Sequence, residues 1–134
     1  RILLGTFVLS AGYYDAYYKK AQNLRGAIVS AFNEAFQSCD VILAPTVPMT
    51  AFEKGFTSQD PVETYQTDIC TVPVNIAGLP AVSLPCGYDA AGLPIGMQLI
   101  GPRFGEAAIL NAAYQYEQQA GETLYRPTGL GVSL

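Results

Sequence analysis

Residue types that can perform covalent catalysis are present, but none has the neighbours that activation requires. The serines are Ser10, Ser30, Ser38, Ser58, Ser83 and Ser133. None of them lies in a Gly-x-Ser-x-Gly turn. The chain has no histidine, which excludes Ser-His-Asp and Cys-His catalysis and every histidine-ligated metal site. A lysine would have to act as the base, yet all three lysines stand in polar or helical surface settings. Spacing therefore predicts no catalytic group within this chain.

Two charged residues are candidates for binding a ligand. Asp68 immediately precedes a stretch of uncharged residues that runs from Ile69 to Tyr88. A carboxylate in that position either lies on a solvated helix face or holds a cation, and spacing alone favours the solvated face. Arg1 is the first residue, and it is either an arbitrary terminus or a functional cation.

Charge and composition limit the partners and cofactors. The 134 residues include 7 basic and 11 acidic side chains, and the isoelectric point is about 4.5. Because the basic residues are scattered, nucleic acid is a poor direct partner. No phosphate-binding glycine loop or cluster of metal ligands appears, so we predict no cofactor and no metal in this chain. The widely spaced Cys39, Cys70 and Cys86 predict reduced thiols that serve as small apolar residues, and a cytoplasmic location.

The elements in the first half of the chain follow from its apolar periodicity. Half of the residues are apolar and only 13% are charged, against about 25% in an average soluble domain. Part of the surface is therefore expected to be covered. Apolar residues at steps of three and four predict a helix over residues 6–38. They are Tyr17, Ala21, Leu24, Ile28, Ala31 and Ala35. Residues 41–44 predict a short buried strand, and a loop follows from Pro45 to Gln59.

The second half of the chain predicts a helix, a hairpin and a final helix. Asp60, Pro61 and Glu63 form a helix start, and this helix is expected to end or kink near Thr71 because Pro73 follows. Alternation over residues 81–86 and 95–100 predicts a β-hairpin whose first strand lies at a sheet edge or near its end.

A last helix is predicted over residues 105–120. Its apolar face is formed by Ile109, Leu110, Ala113, Tyr116 and Ala120. Residues 126–134 are expected to be a frayed tail. The whole order of elements predicts an α/β fold.

The uncharged stretch over residues 69–88 is long enough to suggest a membrane span. However, Pro73, Pro80 and Pro85 lie within it. Three prolines would break the backbone hydrogen bonds that lipid requires of a spanning segment. We therefore expect protein interior here.

Two motifs within this region carry a family resemblance. Residues 73–87 (PVNIAGLPAVSLPCG) and 92–101 (GLPIGMQLIG) resemble the C-terminal portion of amidase-signature enzymes. Residues 1–18 and 60–73 narrow the resemblance to the A subunits of glutamyl-tRNA(Gln) amidotransferases. The resemblance runs from Arg1 to about Gly121. It implies the C-terminal part of an α/β/α sandwich with a mixed sheet, and residues 1–134 are then a single fragment of a larger amidase domain.

The resemblance also assigns roles to residues. The family uses two serines and a lysine in a Gly/Ser-rich signature, which is expected upstream because no Gly-Ser-Ser motif occurs here. The chain alone is therefore expected to leave glutamine unhydrolysed. It is also expected to self-associate, because strands that pair with upstream strands in the family would be left with open edges. By position in the family motifs, Arg1 matches the residue that binds the α-carboxylate of glutamine, and Asp68 the residue that binds its α-ammonium.

The implied function is that of a glutaminase subunit. It releases ammonia for a partner that converts Glu-tRNA(Gln), or in some organisms Asp-tRNA(Asn), to the amidated form. The resemblance implies B and C subunits as partners, ATP and Mg used by the partner, and tRNA held by the partner. Two alternatives stay open: part of a stand-alone amidase acting on simple amides, and a non-catalytic interaction module.

Overall fold

The computed structural model describes residues 2–9, 17–56 and 65–121. Within them the chain forms four helices and three strands. In chain order these are α1 (Ile2–Val8), α2 (Lys19–Ala35), β1 (Ile42–Pro45), α3 (Val72–Ala77), β2 (Ala81–Tyr88), β3 (Pro94–Ile100) and α4 (Glu106–Ala120). The helix-start pattern at residues 60–63 and the tail predicted at 126–134 lie outside the described residues.

The three strands form one sheet in the order β1-β3-β2, and both pairings are antiparallel. The predicted hairpin is confirmed, and β2 is an edge strand among the described residues, as Pro85 indicated. The register shifts between Pro85 and Gly87, because an edge strand tolerates a bulge that a central strand does not. The parallel pairs that a mixed sheet requires do not occur among these three strands.

Helix α4 covers one face of the sheet. Its buried residues Ile109 and Ala113 join Leu84, Met97 and Leu99 in the hydrophobic core. Leu84 pairs with Met97 across the hairpin, so the two side chains lie on the same face. Burial of these apolar groups is the main stabilisation that the described residues provide.

The segment around α3 lies over the opposite face, where Gln98 contacts the Cys70 carbonyl. Helix α2 packs against α3. Helices therefore lie on both sides of the sheet, and the predicted α/β class is confirmed. Gly78 ends α3 in the left-handed conformation, with φ of 71°, which a residue without Cβ adopts at little cost.

Two expectations for the helices need correction, and a third is confirmed with one addition. The helix predicted over residues 6–38 is α1 and α2, and α2 ends at Ala35. None of the residues of α2 is buried, and Leu24 in its apolar stripe is 60% exposed. The expected end of a helix before Thr71 is confirmed, because residues 65 and 66 are helical and residues 67–71 form turns. The sequence did not predict that a new helix begins at Val72, with Pro73 in its first turn. Proline fits there because the first turn of a helix leaves its N–H groups unpaired.

The uncharged stretch is partly interior and partly surface. Val74 and Leu84 are buried, whereas Ile69 is 63% exposed. In the part of the chain that the structure covers, no helix combines the length and the apolar character needed to cross a bilayer.

Candidate functional site

A cavity of about 290 Å³ lies on the face of the sheet opposite α4. We call it the polar cavity, because hydroxyl and amide side chains supply much of its wall. These are Thr46, Thr71, Asn75, Ser83 and Gln98. Val74, Leu79 and Val82 complete the wall together with Ala81. Hydroxyl and amide groups both donate and accept hydrogen bonds without carrying a charge.

The hydroxyl groups in the cavity come from three different segments: Ser83 lies in β2, Thr46 follows β1, and Thr71 lies in the turn before α3. Thr46 directly follows β1, and its backbone N–H donates to the Gly96 carbonyl at 3.1 Å. Its Oγ1 lies 2.8 Å from Ser83 Oγ, and either can be the donor. Ser83 stands opposite Gln98 in the hairpin register, so the alternation of β2 and β3 brings these side chains to the same face.

Gln98 is the buried polar side chain of the site, at 3% exposure. Its Nε2 donates to the Pro45 carbonyl and to the Cys70 carbonyl, each at 2.9 Å. Pro45 is the last residue of β1, and Cys70 lies in the turn before α3. One amide thus joins the central strand to two distant segments.

Asp68 lies in the same turn as Cys70, and its side chain is exposed. Its carbonyl accepts from the backbone N–H groups of Thr71 at 3.0 Å and Val72 at 2.9 Å. The Asp68 N–H donates to the Tyr65 carbonyl at 3.2 Å. The backbone of this residue is therefore held by local hydrogen bonds, while its carboxylate faces solvent. That arrangement can present a negative charge to a cationic ligand.

A second cavity, of about 280 Å³, adjoins the other end of this turn. Its wall is largely apolar and comes mainly from the loop after β1. It is lined by Val47, Met49, Thr50, Ala51, Phe52, Thr67 and Pro94. Thr67 lines this cavity and Thr71 lines the polar cavity, so the turn that carries Asp68 runs between the two.

The loop of the hairpin is tied to the loop after β1 through Asp89. Its carboxylate accepts from the N–H groups of Ala91 and Leu93 at 2.9 Å, and from Thr50 Oγ1 at 2.8 Å. The hydrogen bond from Leu93 and then that from Thr50 lower the pKa of the Asp89 carboxyl below its usual 3.8, because they stabilise the charged form.

The two ligand-binding residues predicted from the resemblance are only partly placed. Asp68 is exposed on the turn whose Thr71 lines the polar cavity, but Asp68 itself does not line it. Arg1 lies outside the described residues. Their roles therefore stay predictions.

The cysteines partly match the prediction. Cys39, Cys70 and Cys86 are all free thiols. Cys39 and Cys86 are exposed, so the expectation that they serve as small apolar residues is wrong for these two. Among the described residues no group of three or more cysteine, aspartate or glutamate side chains is placed to hold a metal ion.

Sequence reasoning missed the polar cavity itself. It treats Ser83 only as a possible nucleophile and does not single out Thr46, Asn75 or Gln98. A signal exists in β3: Gln98 is the polar residue in an alternating apolar strand, on the face opposite Met97 and Leu99. Such a residue at the centre of a strand indicates a buried hydrogen-bonding role.

Comparison with known proteins agrees with the resemblance found in the sequence. The model of the family described as Amidase matches residues 1–110. The A subunit of glutamyl-tRNA(Gln) amidotransferase from Brevibacillus brevis is 59% identical over 121 residues, which are 90% of this chain and 25% of that protein. The chain thus spans about a quarter of the length of the curated relatives it matches.

Solved structures give the same result. The crystal structure of the glutamyl-tRNA(Gln) amidotransferase A subunit from Thermotoga maritima matches with a TM-score of 0.73 and 46% identity. The match covers 88% of this chain and 26% of that one. A 6-aminohexanoate cyclic dimer hydrolase matches with a TM-score of 0.68 and 25% identity, covering 89% and 26%. These likenesses confirm the predicted fold class.

Proposed function

This chain belongs to the amidase family, and we propose that it is part of the glutamine-hydrolysing subunit of a tRNA-dependent amidotransferase. The observation that carries the proposal is its likeness to amidotransferase A subunits over 90% of its length. The exposed Asp68 carboxylate beside the polar cavity supports it, since a glutaminase must hold an amino acid by its charged ends.

In the proposed reaction a serine attacks the side-chain amide of glutamine. Ammonia leaves as the acyl-enzyme forms, and water then releases glutamate. The two serines and the lysine of this chemistry belong to the Gly/Ser-rich signature, which does not occur in these residues. We therefore expect the 134-residue chain by itself to leave glutamine unhydrolysed.

The released ammonia passes to a partner that amidates Glu-tRNA(Gln), or Asp-tRNA(Asn), with ATP and Mg. We propose B and C subunits as the other members of the complex. The net charge of −4 supports the assignment of tRNA binding to a partner, because phosphate recognition depends on lysine and arginine.

The contribution of this chain is a clamp on the zwitterion of glutamine. Asp68 binds the α-ammonium, because a carboxylate and an ammonium form a charge-assisted hydrogen bond. Arg1 binds the α-carboxylate, for which the planar guanidinium offers two parallel donors. Holding both charges fixes the direction of the side-chain amide and so brings it to the nucleophile.

The test is an Asp68→Asn variant of the whole protein that carries this chain. Losing a hydrogen bond to a charged group should raise the KM for glutamine about ten- to hundred-fold. Turnover of a primary amide that lacks an α-ammonium should stay unchanged. Arg1→Ala should likewise raise the KM for glutamine and spare an amide without an α-carboxylate.

Asp40→Asn is the matched control, because Asp40 is also an exposed carboxylate but lies between α2 and β1. It should leave both substrates unaffected. Equal losses on glutamine and on the simple amide would contradict the clamp. Efficient turnover of amides without any α-amino group would favour a stand-alone amidase, and absence of glutamine binding by calorimetry would favour an interaction module.

A further inference from the structure

We propose that Gln98 is a positioning residue for Asp68, acting through the backbone of the turn at residues 67–71. The inference rests on the proposed function, in which Asp68 binds the α-ammonium of glutamine. It assigns part of the specificity of the clamp to a side chain that holds the backbone of the turn through its amide nitrogen. The reasons lie in the burial of Gln98, its orientation and the position of its two acceptors.

Burial makes the hydrogen bonds of Gln98 obligatory. At 3% exposure it is the one buried polar side chain among the described residues. A buried polar group that loses its partner is desolvated without compensation, and this is unfavourable for the folded state. Its side chain therefore keeps its two bonds whenever the sheet is folded.

The orientation of the amide follows from its acceptors. Both partners, the carbonyls of Pro45 and Cys70, are groups that only accept hydrogen bonds. The nitrogen must face them, because the amide oxygen has no proton to donate. Its two hydrogens thus bond to carbonyls from distant parts of the chain, one on β1 and one in the turn.

The second bond fixes the turn relative to the sheet. Hydrogen bonds within residues 65–72, such as Thr71 N–H to the Asp68 carbonyl, set the shape of the turn. They are local, so they do not determine where the turn lies on the sheet. The Gln98–Cys70 bond reaches it from the central strand, two residues after Asp68. A shift of this turn would move the Asp68 carboxylate relative to everything else that contacts the substrate.

The proposal predicts a selective defect when Gln98 loses its donors. A displacement of about 1 Å in a positioned group can cost about a hundredfold, so Gln98→Met should raise the KM for glutamine about ten- to hundred-fold. Turnover of a primary amide without an α-ammonium should change by less than about twofold, because that substrate does not use Asp68. The measurement uses the complete protein in its complex.

Gln115→Met is the matched control, because it makes the same substitution at a glutamine outside the polar cavity and the turn. Gln115 is exposed on α4, which lies on the other face of the sheet. The variant should leave the KM for glutamine and the turnover of the simple amide unchanged.

A double-mutant cycle separates positioning from general support. If Gln98 acts through Asp68, then adding Gln98→Met to Asp68→Asn should raise the KM for glutamine little further. Multiplicative effects of the two changes would overturn the proposal. Equal losses on both substrates would also overturn it. So would failure of both Gln98→Met and Gln98→Glu to fold while Gln115→Met folds, because that result would indicate a purely structural role.

The outcomes also distinguish this inference from the proposed function. If Asp68→Asn leaves the KM for glutamine unchanged, Asp68 does not bind the α-ammonium. The positioning role of Gln98 is then refuted as well, because it acts through Asp68. If Asp68→Asn raises that KM but Gln98→Met does not, the clamp stands and only the positioning role is overturned.

Discussion

The two faces of β3 differ in chemistry although alternate residues of the same strand supply them. Met97 and Leu99 pack against Ile109 and Ala113 of α4 in the hydrophobic core. Gln98, between them, faces the polar cavity and the turn that carries Asp68. A strand has a side-chain period of two, so one element can stabilise the fold on one face and position a binding residue on the other. The comparison leads us to expect that substitutions on the two faces alter stability and ligand binding separately.

The largest expected effect tests the core face. Leu99 is 6% exposed, and Leu99→Ala should lower the free energy of unfolding by about 2–5 kcal/mol because it leaves a cavity beside α4. Urea denaturation measures this loss. The discrimination between glutamine and a simple amide should remain unchanged in the fraction that stays folded.

Leu110→Ala provides the control for that change. Leu110 is 58% exposed on α4, so its truncation should alter stability by no more than about 0.5 kcal/mol. Similar losses for Leu99 and Leu110 would show that the core does not lie where α4 meets β3. A changed substrate preference in Leu99→Ala would show that the two faces are coupled.

A smaller effect is expected where α4 begins, beside the end of β3. A Cβ on Gly101 would lie 2.8 Å from Ile109 Cγ2 and 3.2 Å from the Gly105 carbonyl oxygen. Gly101→Ala should therefore destabilise the protein by about 1–3 kcal/mol, because the helix must move away from the sheet. Thermal unfolding measures the change.

Gly26→Ala is the opposite case. Gly26 lies inside α2, and a Cβ there has no neighbour within 4 Å. Alanine should stabilise α2 by about 0.5–1 kcal/mol through its higher helix propensity.

A neutral or stabilising effect of Gly101→Ala on the unfolding temperature would contradict the close approach of α4 to the sheet.

The smallest effect concerns the hairpin loop, away from both faces. Since the folded-state pKa of Asp89 lies below 3.8, its carboxylate stabilises the fold above that pH. The stabilisation is lost as the pH falls through the lowered pKa. Asp89→Asn should therefore flatten the loss of stability in acid, as measured by the unfolding midpoint against pH.

The control for the acid measurement is Asp40→Asn, an exposed carboxylate outside the hairpin. Its curve of stability against pH should follow that of the unmodified protein. If the unfolding midpoint of Asp89→Asn falls with acid as steeply as that of the unmodified protein, the prediction is wrong. The hydrogen bonds from Leu93, Ala91 and Thr50 would then stabilise the charged carboxylate no more than the neutral carboxyl group.

Local signals explain which elements were predictable. The alternation around Met97 and Leu99 located the hairpin, and the pattern over residues 105–120 located α4, because both depend on side chains near in sequence. The burial of α4 was less predictable: Leu110 was assigned to the apolar face but is 58% exposed. Ile109 and Ala113, which the sequence places on the same face, are buried as predicted, because only the part of the helix that the sheet covers loses contact with water.

The candidate site shows the same division. Asp68 was identified through its position in a family motif, since its spacing alone favoured a solvated surface charge. The alternation of β3 marks Gln98 as a polar residue with a buried hydrogen-bonding role, but it does not identify the partners. Its two acceptors are 53 and 28 residues away in the chain, and contacts at such separations are not encoded by neighbouring residues.

By itself, the sequence determined the α/β class, because apolar periodicity is a property of neighbouring residues, and its motifs determined the family through their resemblance. It also showed that these 134 residues supply no histidine. Only the tertiary structure decided which face of β3 is core and which lines a cavity. It also decided that the turn bearing Asp68 is hydrogen-bonded to that strand. The physical reason is that burial and long-range hydrogen bonds depend on which segments meet in space, and pairing in the sheet brings these together.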